Sequence, residues 1–374
     1  MKAALILLLC LLMAIPTANG ETAMNTFTPN WNNVKPLGRT KPLEDSLWLC
    51  FSGSGAEFTA ECTRLAITMA GDSNVNDKSN QTRIAIEVNG QRVVDDMLDA
   101  AEKTYTVWES EAAQPITVRV IKLSETAMST CGIKAIATDA AAIQPTAKKA
   151  RAIEFIGDSI TCGYGVDDED ANHPFSTSTE DVTRAYAYKT AQALDADYSM
   201  VSISGYGIIS GYTGTGESKV TNQLIPTYYE KLGFSYGSYQ GETPANVAWD
   251  FSAYTPDLIV VNLGTNDDSY TGTDPERQED YRASYTEFLK VIRRNNPDAT
   301  ILCTLGIMGD RLYPQVKNAV AAYTEETGDT NIGCLKFDVQ SPADGYAADW
   351  HPTADTHDKA AEKLIKRIQQ LMTW

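Results

Sequence analysis

The sequence predicts an all-β sandwich domain followed by an α/β domain built on a five-stranded parallel sheet, and three observations support this. Short β-branched and aromatic runs separated by turn clusters fill residues 21–145, with no helical period of useful length. The composition then changes at residues 140–150, which are rich in alanine. In residues 150–374, apolar strands alternate with helical stretches, which is typical of a parallel sheet covered on both faces.

In the first domain, six runs have the composition of strands. They lie at residues 47–51, 64–69, 82–88, 104–108, 116–123 and 133–138. Asn89-Gly90 stands between alternating apolar positions, and this dipeptide is a strong signal for a tight hairpin. The runs are too many and too short for a helical domain, so they favour a β-sandwich.

In the second domain, five apolar runs predict buried strands at residues 153–156, 199–203, 258–263, 300–305 and 334–337. Helices are expected between and after them, at residues 184–194, 276–294, 314–327 and 354–372. Ligands of open parallel sheets bind outside the carboxyl ends of the strands. The residues that follow each predicted strand are therefore the candidates for function.

The net charge and the first twenty residues limit the classes of function that we expect for this protein. The 374 residues include 31 basic and 49 acidic ones, a formal net charge of −18, which disfavours binding to nucleic acid or to an anionic membrane surface. Residues 1–20 combine Lys2, an apolar run and a small-residue end, the pattern of a cleavable signal peptide. No later run reaches about 18 uninterrupted apolar residues, so we expect an exported protein, periplasmic or secreted, without membrane insertion.

Metal ligands are scarce in the sequence. It has only three histidines, no HExxH motif and no closely spaced cysteine pair, so it predicts no metal site and no cofactor. Six cysteines remain outside residues 1–20, too few for a disulfide scaffold in a chain of this length. We expect them to be buried as small hydrophobic residues.

Residues that can donate hydrogen bonds to a ligand follow three of the predicted strands. Ser159 comes after the first strand, where its hydroxyl would lie at the rim of the sheet. Gly205 follows the second strand and could bring its N–H close to a ligand. Asn266 follows the third and offers a side-chain amide as a hydrogen-bond donor. Taken singly, each also fits a structural role, as a helix N-cap, a turn glycine and an Asx turn.

His351 follows the fifth predicted strand and stands before Pro352. There it could accept the proton of Ser159 as a general base and return it to a leaving alcohol. His173 lies in an acidic insert and His357 in the closing helix, so we expect structural roles for both. Candidate residues after four strands, in this order, indicate one nucleophilic site.

These segments resemble a known family. Gly157-Asp158-Ser159, Gly205, Gly264-Thr265-Asn266-Asp267 and His351-Pro352 are similar to the four blocks of the SGNH (GDSL-like) hydrolases. The stretch IEFIGDSITCGYG, the later DWHP and the preceding β-sandwich resemble carbohydrate esterase family 2 more closely. The resemblance implies a jelly-roll domain before a three-layer α/β/α SGNH domain. It also implies removal of O-acetyl groups from polysaccharides such as xylan or glucomannan.

Roles for individual residues follow from the resemblance. It implies that Ser159 is the nucleophile and His351 the base. It also implies that the Ser159 N–H, the Gly205 N–H and the Asn266 side chain form the oxyanion hole.

The chain departs from the usual family pattern next to the histidine. Most of the superfamily has an aspartate three residues before it, where this chain has Ala348, whereas Asp349 stands two before. Either Asp349 orients the imidazole as a third catalytic residue, or a main-chain carbonyl does so and the site is a dyad. Trp350 resembles the aromatic residue that flanks the acetyl-sugar site.

Two other functions compete with a polysaccharide acetyl esterase. One is a lipase or thioesterase of the same superfamily; against it, residues 205–239 are rich in tyrosine, glycine, serine and threonine rather than forming an apolar acyl tunnel. The other is a non-catalytic glycan-binding protein, against which stand the intact Ser159, Asn266 and His351. We expect the partner to be an acetylated polysaccharide or oligosaccharide, and the protein to be a monomer.

Overall fold

The computed structural model describes residues 23–374, so the predicted signal peptide at residues 1–20 lies outside the described residues. Within this range, ten strands form one antiparallel sheet in the N-terminal domain. They are β1 (Asn25–Phe27), β2 (Lys35–Leu37), β3 (Thr40–Pro42), β4 (Leu47–Leu49), β5 (Gly55–Gly71), β6 (Arg83–Val88), β7 (Gln91–Met97), β8 (Glu102–Lys122), β9 (Cys131–Thr138) and β10 (Ile143–Pro145).

The long strands β5 and β8 organise this sheet. Its main order is β3-β4-β9-β5-β8-β6-β7, with β1 paired to β9 and with β2 and β10 paired to β5. The two runs that the sequence separates, 104–108 and 116–123, both lie in β8, because its pairing with β5 continues through register shifts after Cys62 and Leu65. These irregularities bend the strands around an apolar core that includes Phe58, Val118 and Ile133. The predicted hairpin at Asn89-Gly90 is confirmed between β6 and β7.

The C-terminal domain has a parallel sheet in the order β12-β11-β13-β14-β15, five strands within the described range. Its strands are β11 (Ala152–Gly157), β12 (Asp197–Ser202), β13 (Leu258–Asn262), β14 (Thr300–Ile307) and β15 (Ile332–Val339). Its helices are α1 (Ser159–Cys162), α2 (Tyr186–Ala193), α3 (Ile225–Tyr228), α4 (Thr265–Thr271), α5 (Pro275–Asn295), α6 (Tyr313–Thr327) and α7 (Ala354–Met372). Short 3₁₀ turns occupy Thr177–Thr179, Val182–Arg184, Pro244–Asn246, Pro342–Asp344 and Ala348–Trp350.

Helices cover both faces of the parallel sheet. α5 and α6 pack on one face with residues such as Phe288 and Val316, whereas α2 and α7 pack on the other. In α7, the buried residues Ala360, Leu364 and Ile368 recur at helical spacing. One face of the helix is therefore apolar and packs on the sheet. The predicted fold class, an antiparallel β domain before a three-layer α/β/α domain, is confirmed.

The two domains meet in an interface that combines apolar packing, such as Trp48 against Tyr239, with buried polar contacts. Arg39, in the turn between β2 and β3, is fully buried and donates to the main-chain carbonyls of Tyr229 (2.5 Å) and Lys231 (2.7 Å) in the C-terminal domain. Its Nη2 also pairs with the Glu154 carboxylate of β11 at 3.4 Å. A second contact comes from residues 123–130, between β8 and β9, which we call the interdomain loop. In the described part of the chain, no helix is both long and apolar enough to cross a membrane.

Candidate active site

Ser159 lies where β11 turns directly into α1. The turn is tight, since a Cβ on Gly157 would lie 2.0 Å from the Thr161 hydroxyl oxygen. The Asp158 carboxylate caps the helix by accepting the Ile160 N–H at 3.1 Å. At the first helical position, the Ser159 N–H has no hydrogen-bond partner among residues 23–374. The serine therefore presents a hydroxyl and a free N–H at the same edge of the sheet.

His351 follows the 3₁₀ turn Ala348–Trp350, and its ring joins two partners. Nε2 lies 2.9 Å from the Ser159 Oγ, and Nδ1 lies 3.0 Å from the main-chain carbonyl oxygen of Asp349. A carbonyl only accepts, so Nδ1 carries the proton and the lone pair of Nε2 faces the serine. Burial lowers the pKa of His351 to about 4, so the ring is neutral at pH 7. A neutral imidazole in this tautomer can accept the serine proton.

The Asp349 carboxylate does not contact the imidazole. It accepts a hydrogen bond from the Tyr164 hydroxyl at 3.1 Å, while the Tyr164 ring stacks on His351 with centroids 3.9 Å apart. Asp349 and Trp350 both have left-handed backbone conformations, with φ of 54° and 62°. This strained turn aims the Asp349 carbonyl at the ring and its side chain elsewhere. The sequence left open whether the Asp349 carboxylate or a main-chain carbonyl orients the imidazole. In the structure, the main-chain carbonyl of Asp349 contacts Nδ1.

Gly205 and Asn266 come to the same rim as Ser159. Gly205 has φ of +79°, a left-handed conformation that glycine adopts without strain, and its N–H has no partner among the described residues. Asn266, in the first turn of α4, donates through Nδ2 to the Tyr206 carbonyl at 2.9 Å. Its other contact, to Asp158 Oδ2, is long at 3.5 Å, which leaves the second amide hydrogen available to a ligand. The residues that carry these three donors, Ser159, Gly205 and Asn266, thus line one cavity.

Asp267, next to Asn266, received no role from the sequence although it belongs to the third block. Its buried carboxylate accepts the N–H groups of Ile208, Ile209 and Ser210, the shortest at 2.7 Å. Burial raises the pKa of Asp267 to about 6. The carboxylate anchors the segment just after Gly205. The adjacent Asn-Asp pair was the available signal, but the partners are distant in sequence and only the fold identifies them.

A cavity of about 560 Å³ opens over these groups. Its lining residues are Met128, Ser159, Tyr164, Phe175, Ser204, Gly205, Tyr212, Thr265, Asn266, Met308, Asp349, Trp350 and His351. Two aromatic residues that line the cavity are exposed, Trp350 by 55% and Tyr212 by 62%. The size suits a small ligand or one unit of a larger one.

The tyrosine-rich segment 205–239 contributes less to the cavity than its composition suggests. Tyr206, Tyr229 and Tyr239 are buried in side-chain packing, and only Tyr212 of this group lines the cavity. The interdomain loop adds Met128, so the N-terminal domain also shapes the cavity.

The other two histidines lie away from the serine. His357 is buried in α7 and accepts the Tyr186 N–H through Nδ1 at 3.2 Å. His173 is exposed and pairs with Asp168 at 3.0 Å. Across residues 23–374, no three His, Cys, Asp or Glu side chains come together as a metal site. The cysteines of this range are unpaired, five buried and Cys334 half-buried.

Comparison with family models matches both domains. Residues 155–359 match the GDSL-like Lipase/Acylhydrolase family, and residues 37–146 match the Carbohydrate esterase 2 N-terminal model. The first match covers Ser159, Gly205, Asn266 and His351. The second covers most of the antiparallel sheet.

Three relatives illustrate the similarity. The cellulase/esterase CelE of Acetivibrio thermocellus is 34% identical over 228 residues, 60% of this chain but 26% of CelE. An acetylxylan esterase / glucomannan deacetylase of Cellvibrio japonicus is 27% identical over 360 residues, 94% of this chain and 93% of that protein. The solved structure of the acetyl xylan esterase Est2A from Butyrivibrio proteoclasticus has a TM-score of 0.84 and 26% identity, covering 94% of this chain and 99% of Est2A.

Proposed function

Because the chain belongs to the GDSL-like lipase/acylhydrolase family, in its carbohydrate esterase 2 branch, and is a carboxylic ester hydrolase, we propose that it removes O-acetyl groups from polysaccharides of the xylan or glucomannan type. The observation that carries the proposal is the 2.9 Å contact between Ser159 Oγ and His351 Nε2 beside two unpartnered N–H groups. The names of the full-length relatives support the choice of substrate.

Acylation follows from the geometry of the site. The Ser159 oxygen attacks the acetyl carbonyl carbon while its proton passes to Nε2 of His351. The negative charge that develops on the carbonyl oxygen is stabilised by the Ser159 N–H, the Gly205 N–H and the Asn266 amide. The Asp349 carbonyl, already hydrogen-bonded to Nδ1, stabilises the imidazolium without being ionised. When the ester C–O bond breaks, Nε2 returns the proton to the departing sugar oxygen.

Deacylation reverses these roles with water. His351 removes a proton from water, the hydroxide oxygen attacks the acetyl-serine carbonyl, and the same three donors stabilise the second oxyanion. Collapse of the intermediate breaks the bond to the Ser159 oxygen, which takes the proton from Nε2, and releases acetic acid, which ionises to acetate in solvent. No step uses a metal ion or a cofactor.

We propose that aromatic residues at the rim of the cavity recognise the sugar. Trp350 and Tyr212 are exposed at the cavity, and Trp350 also packs against Tyr346 with centroids 5.2 Å apart. Exposed aromatic rings suit the apolar faces of pyranose rings, and a tyrosine hydroxyl can hydrogen-bond to a sugar hydroxyl. The lining includes polar residues such as Ser204, Thr265 and Asn266, which suit a sugar better than a long acyl chain. We further propose that the enzyme is exported by residues 1–20 and acts as a monomer.

The test is acetate release from acetylated xylan and acetylated glucomannan by purified protein, with Ser159→Ala as the control. We expect release that Ser159→Ala abolishes and that survives dialysis against EDTA. Faster hydrolysis of long-chain esters or thioesters would support the lipase or thioesterase alternative. Binding to these glycans without acetate release would indicate a non-catalytic binding protein. Activity lost in EDTA and restored by Zn²⁺ or Ca²⁺ would contradict the metal-free mechanism.

A further inference from the structure

We propose that Glu125, a residue of the interdomain loop, is a positioning residue for the oxyanion hole of the C-terminal domain. The inference rests on the proposed function, since it concerns how Gly205 is held for that chemistry. It assigns the N-terminal domain a part in catalysis beyond lining the cavity.

Glu125 contacts the oxyanion segment directly. Its side chain is fully buried, and its Oε2 accepts the N–H of Ser204 at 2.8 Å. Ser204 immediately precedes Gly205, whose N–H belongs to the next peptide group. The hydrogen bond therefore acts one residue away from the proposed oxyanion donor.

Gly205 needs such support from outside its own side chain. It has no Cβ to restrict its backbone, and the position a Cβ would take is open. On its C-terminal side, its carbonyl accepts the Tyr212 N–H at 2.8 Å, and the Tyr206 carbonyl accepts Asn266 Nδ2 at 2.9 Å. On the N-terminal side of Gly205, the hydrogen bond from the Ser204 N–H to the Glu125 carboxyl group is the side-chain contact that holds the main chain. Without it, that side keeps only long main-chain hydrogen bonds, from the Ile203 N–H to the Gly157 carbonyl (3.4 Å) and from the Tyr206 N–H to the Ile203 carbonyl (3.3 Å), so the Gly205 peptide would be less firmly oriented toward the developing oxyanion.

Glu125 is itself held firmly. Its N–H donates to Glu180 Oε2 at 2.7 Å, and its carbonyl accepts the buried Lys122 Nζ at 2.7 Å. Thr126, the next residue, donates through Oγ1 to the Phe234 carbonyl at 2.8 Å. The bonds to Glu180 and Lys122 hold the main chain of Glu125 itself, so its carboxyl group is a firm support for Ser204, whereas the Thr126 bond docks only the neighbouring residue.

A second buried carboxyl group, that of Glu180, lies next to Glu125. Burial raises the pKa of Glu125, and burial together with the neighbouring Glu125 raises that of Glu180. Among the described residues, the Oε1 atoms of both are buried without a hydrogen-bond partner. The Glu125 carboxyl group accepts the Ser204 N–H through Oε2 in either protonation state. Glutamine, neutral and of the same size, keeps that acceptor.

The experiment compares Glu125→Ala and Glu125→Gln in the full chain with Thr126→Val, which removes a docking bond from the same loop without touching Ser204. It measures kcat and KM for 4-nitrophenyl acetate, inhibition by phenylboronic acid, whose serine adduct mimics the tetrahedral intermediate, and the melting temperature. Because loss of one oxyanion donor costs about 10²–10³ in kcat, we expect Glu125→Ala to lose about 10- to 100-fold, with KM changed less than about threefold. Inhibition by the boronic acid should weaken in parallel. Glu125→Gln and Thr126→Val should stay within about threefold of the wild type.

Several outcomes would overturn the inference. They are a folded Glu125→Ala with wild-type kcat and boronate affinity, an equal loss in Thr126→Val, or a loss in Glu125→Gln as large as in Glu125→Ala. If Glu125→Ala does not fold, Glu125→Leu takes its place, since it removes the acceptor but fills the buried volume. A wild-type protein without esterase activity would overturn the proposed function itself, which distinguishes the two failures.

Discussion

The hydrogen bond between Ser159 and His351 joins single residues 192 positions apart. Neither side chain is reactive by type, since an isolated serine hydroxyl is a weak nucleophile and an exposed imidazole is partly protonated near neutral pH. Burial keeps the imidazole neutral, and the Asp349 carbonyl and the stacked Tyr164 ring orient it. The reactivity proposed here therefore depends on the surroundings of each residue.

We expect Ser159→Ala and His351→Ala each to reduce kcat by at least about 10³-fold, and the double variant to lose little more. The reason is that nucleophile and base act as one unit, so removing either disables both. Steady-state kinetics on acetylated xylan or 4-nitrophenyl acetate would measure this. Near-normal turnover in either single variant, or losses that multiply in the double variant, would contradict the assignment.

We expect Asp349→Asn to lose less than about tenfold in kcat, and Asp349→Ala less than about 10²-fold. In a Ser-His-Asp triad, the amide replacement costs about 10⁴-fold, because it favours the wrong imidazole tautomer. Here the main-chain carbonyl of residue 349 determines the tautomer, and asparagine tolerates its left-handed backbone. Kinetics of both variants, with melting temperatures as the folding control, provide the check. A loss equal to that of His351→Ala would make the carboxylate a third catalytic residue.

The pH dependence of kcat/KM should follow the lowered pKa of His351. Only the neutral ring can accept the serine proton, so activity is lost as pH falls through that pKa, about 4 rather than the usual 6.5. We expect kcat/KM at pH 5 to remain within about twofold of its value at pH 7, and to fall below about pH 4. The profile is measured with circular dichroism at each pH to show that the protein stays folded. Half-loss of activity near pH 6.5 in folded protein would contradict this prediction.

Among the secondary-structure elements, the first turn of α4 serves the site in two directions. Asn266 directs its amide toward the cavity, whereas Asp267 directs its carboxylate to the chain that follows β12. One helix start therefore supplies a donor and also anchors the segment that carries another donor, Gly205. The third block of the sequence, which contains Asp267, therefore holds in place the segment that follows the second block, Gly205.

We expect Asp267→Ala to lower the free energy of unfolding by at least about 3 kcal/mol and to reduce kcat at least tenfold. The substitution leaves three backbone N–H groups without their acceptor, and each buried unsatisfied donor costs about 1–3 kcal/mol. Urea unfolding and steady-state kinetics would measure the two effects. Asp268→Ala is the matched control, because its 3.4 Å pair with Arg311 is partly exposed and should contribute about 1 kcal/mol or less. Equal effects of the two substitutions would refute the anchoring role.

For the molecule as a whole, the domain interface is part of the functional architecture. Arg39 reaches from the N-terminal domain into an aromatic environment that includes Tyr229, Trp249 and Phe251, with its charge paired to Glu154. The interdomain loop brings Glu125 and Met128 to the active-site side. The domains are therefore joined at one end of the parallel sheet by a buried ion pair and near the cavity by this loop.

We expect Arg39→Ala to lower the free energy of unfolding by about 3–5 kcal/mol, because it leaves the Glu154 charge buried without its partner. The control is Arg64→Ala, whose pair with Glu109 is well exposed on both sides and should change stability by less than about 1 kcal/mol. Thermal and urea unfolding of the full chain would compare them. Similar shifts in the two variants would show that Arg39 does not hold the domains together.

Much of the fold and of the candidate site could be predicted from the sequence. Alternating apolar strands and helices predicted the parallel sheet, since hydrophobic periodicity is a local property of the chain. The rule that sites lie after the strands of such a sheet led to Ser159, Gly205, Asn266 and His351, which the structure brings around one cavity.

Other features were decided only by the tertiary structure. The sequence left open whether the Asp349 carboxylate or a carbonyl faces His351, because the answer depends on the left-handed backbone of two consecutive residues. It also separated β8 into two runs, because a bulged strand is continuous only through its pairing with β5. The sequence determined which elements form and which residue types stand at their ends, because both are encoded locally. Tertiary structure alone decided that Asp267 binds residues 208–210, that Glu125 binds Ser204 and that Arg39 binds Lys231, because these contacts join residues from 57 to 192 positions apart.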